Sequence, residues 1–397
     1  MSTSRRSWLQ VALLAGCTPP VRAQGDRGPS LAPIPLATSV DTPCGRRLTR
    51  EKLDEAIALG TSFLLHNQLP EGNFAYLYDW RARRDIEGDS PVRQAGALWA
   101  LACLHAHDPS PELRAALDRG LGYFEAHTDL RNDGAFVRYP GFATGRLGTV
   151  CLLALAYLDR RRVVKDTATD QRLRQLVTFI RRARRVGGGF HSGYTASGRP
   201  HGRRSSYFDG EALLVLVRAA EELEPSLGPL SLDEADRGWH RHVVEALHDD
   251  PDSDDTKGYY QWCSMALARL ALEHPRMGDR LIQLAVWMVD VHHTLRRRRN
   301  TGYAYEGLVM AHAAAKRRGD APMMRKLGCV IEAGLDKLMS WQVGFSGANA
   351  HIAAAGELDD MRALGGVQNH AHEAGLRIDV TQHQMHALLL ARAHYLE

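Results

Sequence analysis

Residues 60–74 read Gly60-Thr61-Ser62-Phe63-Leu64-Leu65-His66-Asn67-Gln68-Leu69-Pro70-Glu71-Gly72-Asn73-Phe74, and segments of opposite character stand on either side of them. Upstream, 48–68 places apolar residues three and four apart with charges between, the pattern of a helix with one wet face. Downstream, 90–107 is apolar nearly all round, so a helix there has to be wrapped by others. Between them Glu71-Gly72-Asn73-Phe74 makes a short turn: glycine supplies a positive φ and the aromatic tucks back onto the hairpin. Outer helix, glycine-aromatic turn and inner helix form one unit.

The unit recurs along the chain. Amphipathic segments at 48–68, 111–128, 170–185, 234–248, 278–293 and 322–342 alternate with apolar ones at 90–107, 145–158, 207–220, 260–272, 305–315 and 381–394. Two further connectors carry the turn, Asp133-Gly134-Ala135-Phe136 and Gly188-Gly189-Phe190. Six alternating pairs predict an all-α fold, a single (α/α)6 toroid over 48–397 with the apolar helices as its inner barrel. The 397 residues thus need no second domain. Hydrophobic residues at 44% and charged ones at 24% exclude a disordered, collagen-like or disulfide-dense chain. A net charge of +4 is too mild for a dedicated nucleic-acid binder.

The N-terminus carries its own signals. Ser4-Arg5-Arg6-Ser7-Trp8-Leu9-Gln10 places paired arginines before a short apolar stretch, and Leu14-Ala15-Gly16-Cys17 follows. The first resembles a twin-arginine signal and the second a bacterial lipobox. The resemblance implies a signal peptide over 1–17, acylation of Cys17, a Pro/Gly/Ser-rich tether over 18–47, and an exported, membrane-anchored protein of the bacterial envelope. Cleavage near Val21-Arg22-Ala23 is the alternative. Five other cysteines remain, an odd number for a disulfide framework. Cys103, Cys151, Cys263 and Cys329 fall in apolar helical runs and are expected buried and unpaired. No cysteine pair has zinc-site spacing, and neither a phosphate-binding glycine loop nor a His-Glu-x-x-His run occurs, so neither metal nor cofactor is expected.

Gly60-x-x-Phe63-Leu64-x-x-x-Gln68-x-x-x-Gly72-x-Phe74 resembles the repeat motif of terpenoid cyclases and protein prenyltransferases, with weaker echoes at 120–136 and 334–342. The resemblance implies the toroid. Six-hairpin glycosidases and some polysaccharide lyases share a related toroid, so the likeness transfers no activity.

In such a barrel the first turns of the inner helices line one funnel, whose N–H groups and positive dipole ends suit anionic or hydroxyl-rich ligands. These turns are polar: Arg93 and Gln94; Arg146; Tyr207, Asp209 and Glu211; Tyr259 and Gln261; Tyr303, Tyr305 and Glu306; Asp379, Gln382 and His383. The four acids either favour helix starts through capping and dipole or equip a glycan site. On the second reading Glu306 is the acid, with Asp209 or Glu211 as partner. Arg93, Gln94, Tyr207, Gln261, Tyr303, Tyr305, Asp379 and His383 would contact substrate. Two outer helices finish in cation runs, 181–185 and 296–299: a solvated helix end, or a basic rim for an acidic polysaccharide and a lyase or epimerase with a Tyr or His base. His370 and His372 are ligand candidates in a polar loop.

Asp252-Ser253-Asp254-Asp255-Thr256 resembles the Asp-x-Asp-Asp-Thr motif of class II terpenoid cyclases. That resemblance implies Asp254 as general acid beside Asp252 and Asp255, and makes a cyclase the alternative to a glycan enzyme or a glycan-binding toroid. Against it, Lys257 to Gln261 separate the motif from the apolar run, and aromatics are only 7%.

Overall fold

In the computed structural model, residues 44–356 and 358–396 are described; the signal segment, Cys17 and tether residues 18–43 lie outside them. Outer helices alternate with inner ones: α1 (Arg50–His66) then α2 (Pro91–His107), α3 (Pro111–Ala126) then α4 (Leu147–Val163), α5 (Thr167–Arg182) then α6 (Ser206–Glu222). The fourth outer helix is α7 (Gly228–Trp239), which runs through a π turn (His240–Glu245) into α8 (Ala246–Asp249) and precedes inner α9 (Asp254–Leu270). Outer α10 (Pro275–Asp290) precedes α11 (Gly302–Arg318). Outer α12 (Ala321–Met339), after the single turn α13 (Ala350–Ala353), precedes α14 (Ile378–His394). The inner helices pack in the ring α2, α4, α6, α9, α11, α14 and back to α2. This is the expected all-α (α/α)6 toroid. Two segments begin about six residues earlier than expected: α7 at Gly228, where Pro229 suits a first turn, and α9 at Asp254, capped by Ser253, so Lys257 and Gln261 are helical.

The repeat motif works as a staple. Gln68 Nε2, just past the end of α1, donates to the carbonyl of Gly72 at 3.0 Å and to Ala116 of the next outer helix at 2.8 Å. Past the end of α12, Gln342 Nε2 donates to Gly365 at 3.0 Å and to Ala56 of α1 at 2.9 Å, so the same device joins the last outer helix to the first. Arg184 takes this place after α5, reaching Asp233 and Glu234 of α7. Gly72, at φ 109°, has no room for a side chain, because a Cβ would run into the Arg119 carbonyl. The connector at 128–137 departs from the expectation. It is a two-stranded hairpin, Thr128–Arg131 with Gly134–Val137, and Asn132 and Asp133 rather than Gly134 take the positive φ.

Another correction concerns Cys329, which is not a lone buried thiol. It forms a disulfide with Cys44, while Cys103, Cys151 and Cys263 stay unpaired. Beside the bridge, Glu332 Oε2 accepts the backbone N–H groups of Arg47 and Leu48 at 2.6 and 2.7 Å, and its Oε1 accepts Tyr395 Oη–H at 2.9 Å. Residues 44–48 are thus fastened to α12 as part of the toroid.

Candidate functional site

The N-cap residues of five of the six inner helices make no side-chain cap, α9 being the exception, and all six helices begin at one mouth of the barrel. Two adjoining cavities open there. An inner lobe of about 490 Å³ reaches down to Glu211, Gln261 and Trp262. An outer lobe of about 590 Å³ extends over Arg297 to Arg299, Asn369 and Arg377. Arg93, Tyr207, Lys257, Tyr303, Asp379 and His383 line both, so the lobes form one funnel.

Glu306, fully buried on α11, lies under the inner lobe as the hub of its hydrogen bonds. Oε1 lies 3.1 Å from His383 Nδ1, and Oε2 lies 2.8 Å from His386 Nδ1 and accepts Gln261 Nε2–H at 2.9 Å. Burial alone would raise the Glu306 pKa, but the charge of His386 and the hydrogen bonds from both histidines outweigh it and hold the carboxyl below its ordinary range. Glu306 is therefore a carboxylate. Its Oε1 shares His383 Nδ1 with the amides of Gln261 and Gln382, whose Nε2 atoms lie 3.0 and 3.3 Å from that nitrogen, so the protein holds the ring by Nδ1. The general acid expected at Glu306 has to be sought elsewhere.

Glu211 is the opposite case. It lines the inner lobe from α6, its Oε2 is buried with no hydrogen-bond partner, and burial pushes its pKa well above the usual carboxylate range. Gly148 of α4 makes space for it: a Cβ there would stand 2.5 Å from Glu211 Oε2. Glu211 faces the cavity from a site that favours its protonated form. Below it the floor is aromatic. Trp262 tilts against Trp99 at 5.6 Å, and Trp99 meets the edge of His386 at 4.4 Å. Trp99 Nε1 donates to Asp159, which a buried bidentate pair with Arg218 holds down at a pKa of about 2 despite burial.

Several expected site residues point away from the funnel. Asp209 Oδ1 accepts the N–H of Phe190 at 2.8 Å, as Gln94 Oε1 does that of Phe74 at 2.8 Å and Thr381 Oγ1 that of Val367 at 3.1 Å. Each is the fourth residue of its inner helix and braces the turn behind it. Tyr305, fourth in α11, packs its phenol against Gly334 of α12. At 100° per residue the fourth position faces outward when the second and sixth face the axis. Asp209 and Tyr305 are thus structural, and Gln94 lines neither lobe, its Nε2 donating to Asp89 and to the carbonyl of Phe74. Asp379 lines the funnel but is shared by Arg377 and by Arg93, whose Nε lies 3.0 Å away.

The Asp252–Asp255 segment also proves structural. Asp252 pairs with His292 and Arg297, both at 2.7 Å, and Asp255 meets His242 Nδ1 at 2.7 Å, whose Nε2 lies 2.9 Å from Asp209. Asp254 is 89% exposed, pairs with Lys257 and lines neither lobe. Of the cation runs, Arg297, Arg298 and Arg299 reach the outer lobe, whereas the 181–185 run is spent on outer-ring partners such as Glu224, Asp233 and Glu234. His370 and His372 pack near His351 in a histidine cluster. No group of residues able to hold a metal occurs among the described residues.

Sequence reasoning missed His386, Trp99, Trp262 and Lys257. His383 and His386 stand three apart on one face of an apolar helix, a spacing that could have paired them. Lys257 was masked by placing the start of α9 too late.

No protein-family model and no curated protein sequence matches the chain. Solved structures do. A sugar epimerase from a ruminal bacterium superposes with a TM-score of 0.64 at 9% identity, covering 87% of this chain and 99% of that one. The cellobiose 2-epimerase of Bacillus thermoamylovorans gives 0.63 at 8%, covering 86% and 98%. A GH76 α-mannanase of Bacteroides thetaiotaomicron gives 0.59 at 10%, covering 87% and 96%. What the chain shares with these proteins over nearly their whole length is the fold, the α/α toroid.

Proposed function

We propose that this toroid is a carbohydrate-active enzyme that moves a proton at a sugar carbon beside a carbonyl or carboxylate, as an epimerase or lyase does. One observation carries the reading: His383, seated on the Glu306 carboxylate, and the uncharged Glu211 line the same cavity. His383 Nε2 takes the carbon-bound proton, and the electron pair moves onto the adjacent oxygen, which the Glu211 carboxyl stabilises by donating a hydrogen bond. Return of a proton from water in the mouth to the other face of the carbon, with His383 giving its own to water, gives an epimer; expelling the group on the next carbon, which takes the proton from His383 as it leaves, gives an unsaturated product. Hydrolysis by a carboxyl pair is less well served. Glu306 is ionised beneath the cavity, Asp209 braces a turn and Asp379 is shared by two guanidinium groups. The structural neighbours include epimerases, a mannanase and a D-mannose isomerase, which favours sugar chemistry in this mouth.

Export with a lipid anchor at Cys17 completes the proposal. The Cys44–Cys329 disulfide supports it, because such bonds persist in oxidising compartments.

The test is proton exchange. Incubated in heavy water with a panel of neutral and acidic oligosaccharides, the wild type incorporates deuterium at one sugar carbon or releases an unsaturated sugar, and His383→Ala does neither. Release of reducing ends with neither deuterium on carbon nor an unsaturated sugar would replace the proposal by a hydrolase.

A further inference from the structure

The two lobes differ in charge. Residues that line only the inner lobe, among them Leu152, Phe208, Glu211, Gln261, Trp262 and Gln382, include no Arg or Lys. Glu211 there has no charge partner, and the Trp262 ring offers an apolar wall of the kind a sugar ring packs against. Arg93, Lys257 and Asp379 line both lobes, and the residues that line only the outer lobe add four cations, Arg297, Arg298, Arg299 and Arg377, and no acid. Asp379 is already shared by Arg93 and Arg377, and Arg297 is held by Asp252. Arg298 and Arg299 stand exposed at the rim. An anion in the inner lobe would sit above the buried Glu306 carboxylate; one in the outer lobe would meet a surplus of guanidinium groups. Guanidinium forks match carboxylate and sulfate oxygens.

We infer that the outer lobe seats an anionic group, a carboxylate or sulfate ester on a sugar residue adjoining the reacting one, and that the reacting ring in the inner lobe is itself uncharged. The inference rests on the proton-transfer reading and narrows it to a reacting carbon beside a carbonyl, in a mixed glycan whose neutral residue neighbours an acidic one. It differs from a general attraction of the mouth for polyanions, because it assigns the charge to one lobe.

Binding is measured by calorimetry on His383→Ala, which lacks the base and so leaves each probe intact. The probes are a neutral hexose disaccharide and disaccharides of the same linkage bearing one hexuronate or one sulfate ester, the two charged arms separating the sources of the anion. Either charged probe is expected to bind at least about 10-fold more tightly than the neutral one at low salt, with the advantage shrinking as salt rises. Adding Arg298→Gln or Arg299→Gln should weaken the charged probe by roughly 10-fold each and leave the neutral probe unmoved. Equal affinity for charged and neutral probes, or charged binding indifferent to both arginine changes, overturns the anion seat. Deuterium exchange by the wild type is read separately: its failure on every probe, with charge-dependent binding intact, overturns the proton-transfer reading and leaves the anion seat standing.

Discussion

His383 Nδ1 lies 3.1 Å from Glu306 Oε1, joining α14 to its neighbour α11 in the inner ring. The carboxylate and the Gln261 and Gln382 amides hold the imidazole by that nitrogen. Glu306→Gln keeps the shape and loses the charge that supports the imidazole as it takes up a proton. Turnover should fall by about 10²–10⁴-fold while oligosaccharide affinity is retained, as read from initial rates and calorimetry. The stabilising part of this contact is present above the ordinary Glu pKa of 4.5 and is lost as pH falls through the lower folded value. Acid unfolding of Glu306→Gln should therefore be less steep than that of the wild type.

Glu211 titrates the other way. Its folded pKa is raised, so its contribution to stability is complete below 4.5 and declines as pH rises toward and through the folded value. Glu211→Gln stays uncharged throughout. It should unfold at a higher urea concentration than the wild type near neutral pH, match it in acid, and lose about 10²–10⁴-fold in turnover. A variant with full turnover would remove Glu211 from the chemistry.

Asp209 tests the division between bracing and catalysis. Asp209→Asn disturbs the link to His242 and should cost about 1–3 kcal/mol in urea unfolding with turnover unchanged. Asp209 and Asp255 raise the His242 pKa against the effect of burial, so that stabilisation is full below 6.5 and fades as pH rises through the folded value. The variant should show a shallower loss of stability over that range. A large loss of turnover at full stability would return Asp209 to the site.

Reduction should be felt globally. The Cys44–Cys329 bridge spans 285 residues, and a loop of that length implies a loss of about 2–5 kcal/mol when the bond is removed. Cys329→Ser should unfold at lower urea than the wild type, and a reductant should shift the wild type but not the variant.

For the proposed anchor, Cys17→Ala should release the protein from membranes, and Arg5 with Arg6 changed to Lys should block export by a twin-arginine route. Retention of the Cys17 variant on membranes after a high-salt wash would refute lipid anchoring.

The toroid was legible because wetting alternates over whole helices: a helix such as α4, buried from Leu147 to Asp159, differs from amphipathic α5 in every turn. The turn chemistry was legible too, since Gln68 and Gly72 act within a few residues of each other. The site was legible only by helix end. Knowing that Asp209 and Glu211 share a first turn does not say which faces the axis, because two residues along a helix amount to 200° of rotation. Charge state was hidden for the same reason. Glu306 and Glu211 look alike in sequence, and only the histidines near one and the absence of partners at the other separate a carboxylate from an acid. The Cys44–Cys329 pairing joins positions 285 apart, beyond the reach of any local pattern.

Glu332 binds both residues 47–48 and Tyr395, so the segment leading into the first outer helix and the one leaving the last inner helix meet at a single side chain. Outer helices begin and inner helices finish at the end of the barrel opposite the funnel. Cys44 and Tyr395, brought together through Cys329 and Glu332, both stand at that end. A bead or a fused partner attached through either residue would leave the mouth clear for a long polymer.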